Sequence, residues 1–151
     1  MNLEQALPQL LPLAIKWAEA EAQKATPTGA SLTNAEEKLA RAVGVQRPEL
    51  VRVAIVPQLP EPQHPQLRLA AQQAGLLGLG GAGLTLGYTV FIVRGQKTLR
   101  LLSHELRHVH QYEQLGSIAR FLPVYLEQIV TLGYANAPLE ADARAHEIRD
   151  N

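Results

Sequence analysis

The chain has 151 residues, no cysteine, and 14 basic against 14 acidic residues. That balance leaves no overall field to recruit nucleic acid or an anionic membrane, and the lack of cysteine excludes disulfides, thiolate metal ligands and cysteine nucleophiles. A metal site built from imidazole and carboxylate stays open, and 46% hydrophobic residues suffice for the core of one domain over residues 1–151. The start, Met1-Asn2-Leu3-Glu4-Gln5, lacks the basic region of a signal peptide, and no apolar run reaches the ~18 residues of a membrane span. The expectation is a cytoplasmic protein with neither nucleic-acid nor membrane partners.

Leu10, Leu11, Ala14, Ile15 and Ala18 fall at helical spacing and predict a helix over about residues 9–24, with Pro12 in its first turn and Thr26-Pro27-Thr28-Gly29 as its stop. Thr33 or Asn34 caps a second helix from Ala35 to Val43, ended by Gly44, so residues 1–45 form a helical region. Leu50 to Val56 reads as a strand. Pro57, Pro60, Pro62 and Pro65 make a stiff connector into a short helix from Gln66 to Ala74, followed by low-complexity glycine from Gly78 to Gly83. Leu84 to Val93 is rich in β-branched and aromatic residues and predicts one strand with a bulge near Gly87. Its part from Thr85 to Val90 is either a sheet edge able to pair with an extended substrate or an interior strand.

From Leu99 onward Leu102, Leu106 and Val109 recur three or four apart, while His104, His108 and Gln111 share another face of the same helix. Gly116 ends this helix and Ser117 caps the next, which runs to about Gly133. Pro138 opens a last helix with Glu140 in its first turn. The fold expected is α+β, a small β-sheet packed on helices, with residues 84–146 as the core of a metal site.

Two histidines four apart lie about 40° apart around a helix and one turn apart along it, so both imidazoles can reach one tetrahedral metal. Glu105, between them in His104-Glu-Leu-Arg-His108, points to where an attacking water sits and can take its proton. Zn2+ suits this donor set and would lower the pKa of a water toward ~7. By the same angular reasoning Glu113, Glu127 and His110 do not follow the ligand face.

Ser103-His104-Glu105-Leu106-Arg107-His108-Val109-His110-Gln111-Tyr112 resembles the active-site helix of the zincin metallopeptidases. Gln111 stands where the metzincins carry glycine, so the likeness is closer to the gluzincins, whose third ligand is a glutamate on a later helix. Ala137-Pro138-Leu139-Glu140-Ala141-Asp142-Ala143 resembles that glutamate helix as it occurs in small bacterial gluzincin-like proteins, which share a His-Glu-Leu-x-His-Val-x-Gln-Tyr-Glu-x-x-Gly pattern. The resemblance implies His104, His108 and Glu140 as zinc ligands, with Asp142 and His146 open as alternatives to Glu140. It also implies a minimal zincin-like domain and Glu105 as the catalytic base.

Thermolysin-like gluzincins carry an aspartate four residues after the glutamate to orient a ligand histidine. Arg144 stands there in this chain, leaving Asp142 or Gln111 for that task. Tyr134 and Tyr125 are the candidates for stabilising an oxyanion. The function implied is zinc-dependent hydrolysis of a peptide or protein substrate. The alternative is a catalytically weak zinc-binding module that acts through protein interaction.

Overall fold

The computed structural model describes residues 2–76 and 81–149. Among these residues six helices pack around a four-stranded sheet: α1 (Leu3–Ala25), β1 (Ala30–Ser31), α2 (Asn34–Ala42), β2 (Arg52–Val56), α3 (Pro65–Gln73), β3 (Gly83–Leu86), β4 (Thr89–Val93), α4 (Leu99–Leu115), α5 (Ile118–Leu132) and α6 (Pro138–Ala145). The α+β expectation holds at this level. No helix among the described residues is long and apolar enough to cross a membrane. Of the glycine-rich stretch from Gly78 to Gly83, the first three residues lie outside the described residues.

The first helix is longer than its apolar pattern suggests. It begins at Leu3, capped by the Asn2 side chain, and carries Pro8 and Pro12 inside it. Each proline removes one helical N–H, but the two are four apart and both exposed, so the carbonyls they free face water. Thr33 caps α2 in a reciprocal arrangement with Glu36, as a capping box. Pro48–Leu50 form a turn of 3-10 helix, so the second strand starts at Arg52 rather than Leu50. The two-residue strand β1 was not expected from the sequence.

The sheet order is β1-β2-β4-β3. The α3 crossover joins the parallel pair β2 and β4, while β1 and β3 lie antiparallel at the two edges. The single strand expected from Leu84 to Val93 is instead a hairpin, in which Leu86 pairs with Thr89 across Gly87-Tyr88. Gly87 has φ +66° at the first central position of this two-residue turn, a conformation open to glycine that reverses the chain where a bulge was expected. Thr85 and Leu86 therefore lie on an edge strand, and Thr89 and Val90 on an interior one.

Alternation along the strands divides the core. Val53, Val90 and Ile92 face Leu102, Leu106 and Val109 of α4, while Phe91 faces the opposite way toward Ala18, Phe121 and Leu122. The α4 helix is thus central. Its core positions are where the sequence places them, and Ser103, His104, Glu105, His108 and Gln111 are buried as well. Such a helix is not a solvated surface helix whose histidines merely face water.

Candidate metal centre

The α4 helix is held at both ends, by the Thr98 side chain on the N–H of Leu101 and by Gly116 in the left-handed region at φ +106°. Ser117 caps α5 directly after it, and α6 returns across the polar face of α4. This path brings Glu140 to the two histidines. His104 Nε2 lies 3.1 Å from Glu140 Oε1, and His108 Nε2 lies 3.2 Å from Glu140 Oε2. The ligand atoms of all three residues fall within 4.8 Å of one another, close enough to hold a metal ion, and all three residues are buried. With zinc bonds of about 2.0–2.1 Å, tetrahedral geometry separates ligand atoms by roughly 3.3 Å, near the two spacings observed. The donor set and its spacing fit such an ion.

The far side of each imidazole is also fixed. His104 Nδ1 is 2.8 Å from Glu147 Oε2, and His108 Nδ1 is 2.8 Å from Gln111 Oε1. The Gln111 amide nitrogen donates to two acceptors, Leu139 O and Asp142 Oδ2, each at 2.9 Å. Its oxygen must therefore face His108, which makes Nδ1 the donor and turns Nε2 toward Glu140. Asp142 is anchored in turn by Arg107, whose Nε and Nη2 donate to its carboxylate at 2.8 and 3.2 Å. This ion pair holds the Asp142 carboxyl below its ordinary range. Gln111 thus orients His108 directly, and Asp142 does so through Gln111. His146, the other alternative ligand, turns back to the Asp142 carbonyl at 2.8 Å and is not in the cluster.

Glu140 has three side-chain partners, the third being the Tyr125 hydroxyl, which donates to Oε2 at 2.7 Å. Burial by itself would raise the Glu140 carboxyl, but the hydrogen bonds from His104 and His108 outweigh it and hold the group far below the usual carboxylate range. His108 is affected in the opposite sense. Burial disfavours its charged form, yet the Glu140 hydrogen bond and the Glu105 charge push it up to about 9.

Glu105 lies beside this cluster with its carboxylate pushed up by burial, an effect opposed by the two histidines and by Thr85. The Thr85 hydroxyl donates to Glu105 Oε1 at 2.8 Å. On the next β3 residue of the same parity, Gly83, an added Cβ would lie 3.0 Å from Glu105 Cγ and Oε2. Glycine there leaves the carboxylate its space. The β3 edge thus borders the Glu105 carboxylate from two positions, while the Tyr112 hydroxyl covers the Thr85 carbonyl at 3.0 Å.

Tyr134 is 43% exposed and lines the same cavity as Glu105, His108 and Glu140. Burial of its hydroxyl end, and then the Glu140 and Glu105 carboxylates, push its pKa up and keep the hydroxyl protonated. Both candidate tyrosines face Glu140, and Tyr134 is the more exposed of the two. The residues set aside on angular grounds have other partners or none at the site. Glu113 accepts from the backbone of Gln46 and Arg47 and from Tyr88, His110 bonds Gly44 O, and Glu127 is exposed.

Three contributors were not read from the sequence. Glu147 lies past the end of α6, so helical spacing from Glu140 does not place it and it carries no local signal. Thr85 and Gly83 carry none either, because their role depends on how the hairpin meets α4. Gln111→Ala is expected to weaken zinc binding roughly 10- to 100-fold while one ion still binds at saturation, as read by competition with a chromophoric chelator. Unchanged affinity would remove Gln111 from its positioning role.

No family model, no curated protein and no solved structure matches this chain.

Proposed function

We propose that the protein is a small gluzincin-like zinc metallopeptidase in which His104, His108 and Glu140 hold the ion and Glu105 is the general base. One observation carries the reading: two imidazoles and a carboxylate converge on one point, and a second, buried carboxylate opens into the same cavity beside them. Three protein ligands leave a fourth position open, the pattern of catalytic rather than structural zinc sites. Zinc held there would polarise a scissile carbonyl and bring a water's pKa toward ~7.

The chain's own groups carry the proton chemistry. Glu105 accepts the proton of the attacking water and returns it to the leaving nitrogen, and its burial favours this by bringing its proton affinity closer to neutrality. Thr85 holds the carboxylate by one oxygen and leaves the other, beside Gly83, free for the water. Tyr134 donates toward the oxygen on which charge develops. Tyr125, Gln111 and Glu147 keep the three ligand side chains in place.

The test is metal content and peptide cleavage on the same preparation. About one zinc per chain after purification without added metal, together with chelator-sensitive cleavage of a mixed peptide library, is the expected result. A chain that holds zinc and cleaves nothing is instead a binding module.

A further inference from the structure

The space in front of Glu105, His108 and Glu140 continues as a cavity of about 430 Å³ between α1, α3 and α5. That volume is within the range of about 300–1,000 Å³ of small-molecule sites. Along α1 its wall runs through Leu3, Leu7, Leu10, Ala14 and Trp17, which at about 1.5 Å per residue is a length of roughly 21 Å. The cavity is therefore long for its volume.

Its charge is gathered at the metal centre. The ionisable groups among its lining residues are the carboxylates and imidazole of the metal centre and the hydroxyls of Tyr112, Tyr125 and Tyr134. Among the described residues no lysine or arginine lines it. Beside Glu105 the wall is the free edge of β3, whereas the remaining wall is mainly α1, α3 and α5, whose backbone groups are satisfied within the helices and offer a guest no regular row of donors and acceptors. A polypeptide threaded along the cavity would bring an unpaired N–H and C=O with every residue, each costly to bury. A hydrocarbon chain brings none. An amphiphile with one hydrolysable polar group and one long tail matches this division of the wall into a polar cluster and an apolar length.

We infer that the cavity binds a long unbranched aliphatic chain, so that the bond placed at the metal centre is the amide of a fatty-acyl group. The amide rests on the hydrolytic reading above, whereas the chain rests on the cavity alone. In the reaction, water adds across the C–N bond, its hydroxyl going to the carbonyl carbon and its proton to the nitrogen, which releases a fatty carboxylate and an amine.

The probe is a series of N-methylalkanamides from N-methylbutanamide to N-methyldodecanamide, each kept below its aggregation concentration and measured by calorimetry against the zinc-loaded full chain. Affinity should grow roughly three- to fourfold per added methylene until the cavity is filled. Leu7→Trp, on the apolar α1 wall, should follow the wild type for the short amides and stop gaining for the long ones. Its zinc content and melting temperature check that it folds. Affinity that stays flat beyond the butanamide in the wild type overturns the inference, as does a Leu7→Trp series identical to the wild type at every length. Binding is read without turnover, so a protein that binds the series with this dependence and hydrolyses neither an acyl amide nor a peptide overturns the hydrolytic reading and upholds the aliphatic occupant.

Discussion

Glu105→Gln is expected to keep its zinc and its fold while losing on the order of 10²- to 10⁴-fold in hydrolysis, because an amide cannot take a proton from water. The substitution is nearly isosteric, and its remaining oxygen can still accept the Thr85 hydroxyl that now reaches Oε1 at 2.8 Å. Losing the charge also relieves a buried carboxylate of its desolvation, so stability should not fall. The measurement pairs rates on one cleaved substrate with metal content for both proteins. Equal cleavage by wild type and variant would assign the activity to a different base or to a contaminant. Cleavage lost together with zinc would move Glu105 from base to structural support.

His108→Ala is expected to abolish stoichiometric zinc binding, and Glu140→Ala to reduce affinity by more than the roughly 10- to 100-fold typical of outer hydrogen-bond partners. Thermal melting reads this directly. Free zinc at ~100 times its Kd stabilises a folded protein by about 2.7 kcal/mol, which for a chain of this length raises Tm by roughly 5–10 °C. His108→Ala should show no such rise. Retained full occupancy in Glu140→Ala would transfer the third-ligand role to another residue.

The same site makes zinc affinity depend on pH. In the metal-free chain His108 is raised to about 9, so a proton must leave before the ring can ligate, and apparent affinity should increase from pH 6 toward that value by up to about tenfold per unit. Without metal the sign reverses. A histidine raised above its unfolded value of about 6.5 contributes stability that is fully present below that pH and is lost as pH rises through about 9. The metal-free protein should lose this contribution over the interval in which zinc affinity rises.

The sequence by itself determined the local features of this protein. Helical periodicity set Leu102, Leu106 and Val109 on the core side of α4 and His104, His108 and Gln111 together on another, because a helix repeats its faces whatever surrounds it. Caps at Thr33, Thr98 and Ser117 act within one turn of chain and are equally local. Glu140 was reached through a resemblance, since no local rule connects a glutamate to histidines 36 and 32 residues earlier.

Tertiary structure decided the rest. The hairpin at Gly87 replaced an expected continuous strand because strand propensity does not register chain reversal, and only pairing of Leu86 with Thr89 shows it. Pro8 and Pro12 lie inside α1 because the freed carbonyls face water, a matter of which side of the helix is covered. Thr85, Gly83 and Glu147 reach the site from segments distant in sequence, through contacts that exist only once β3 and α6 pack on α4. Burial did the same for the electrostatics: the His104, Glu105, His108 and Glu140 pattern is visible in the chain, but the opposing shifts of its members arise from their enclosure together away from water.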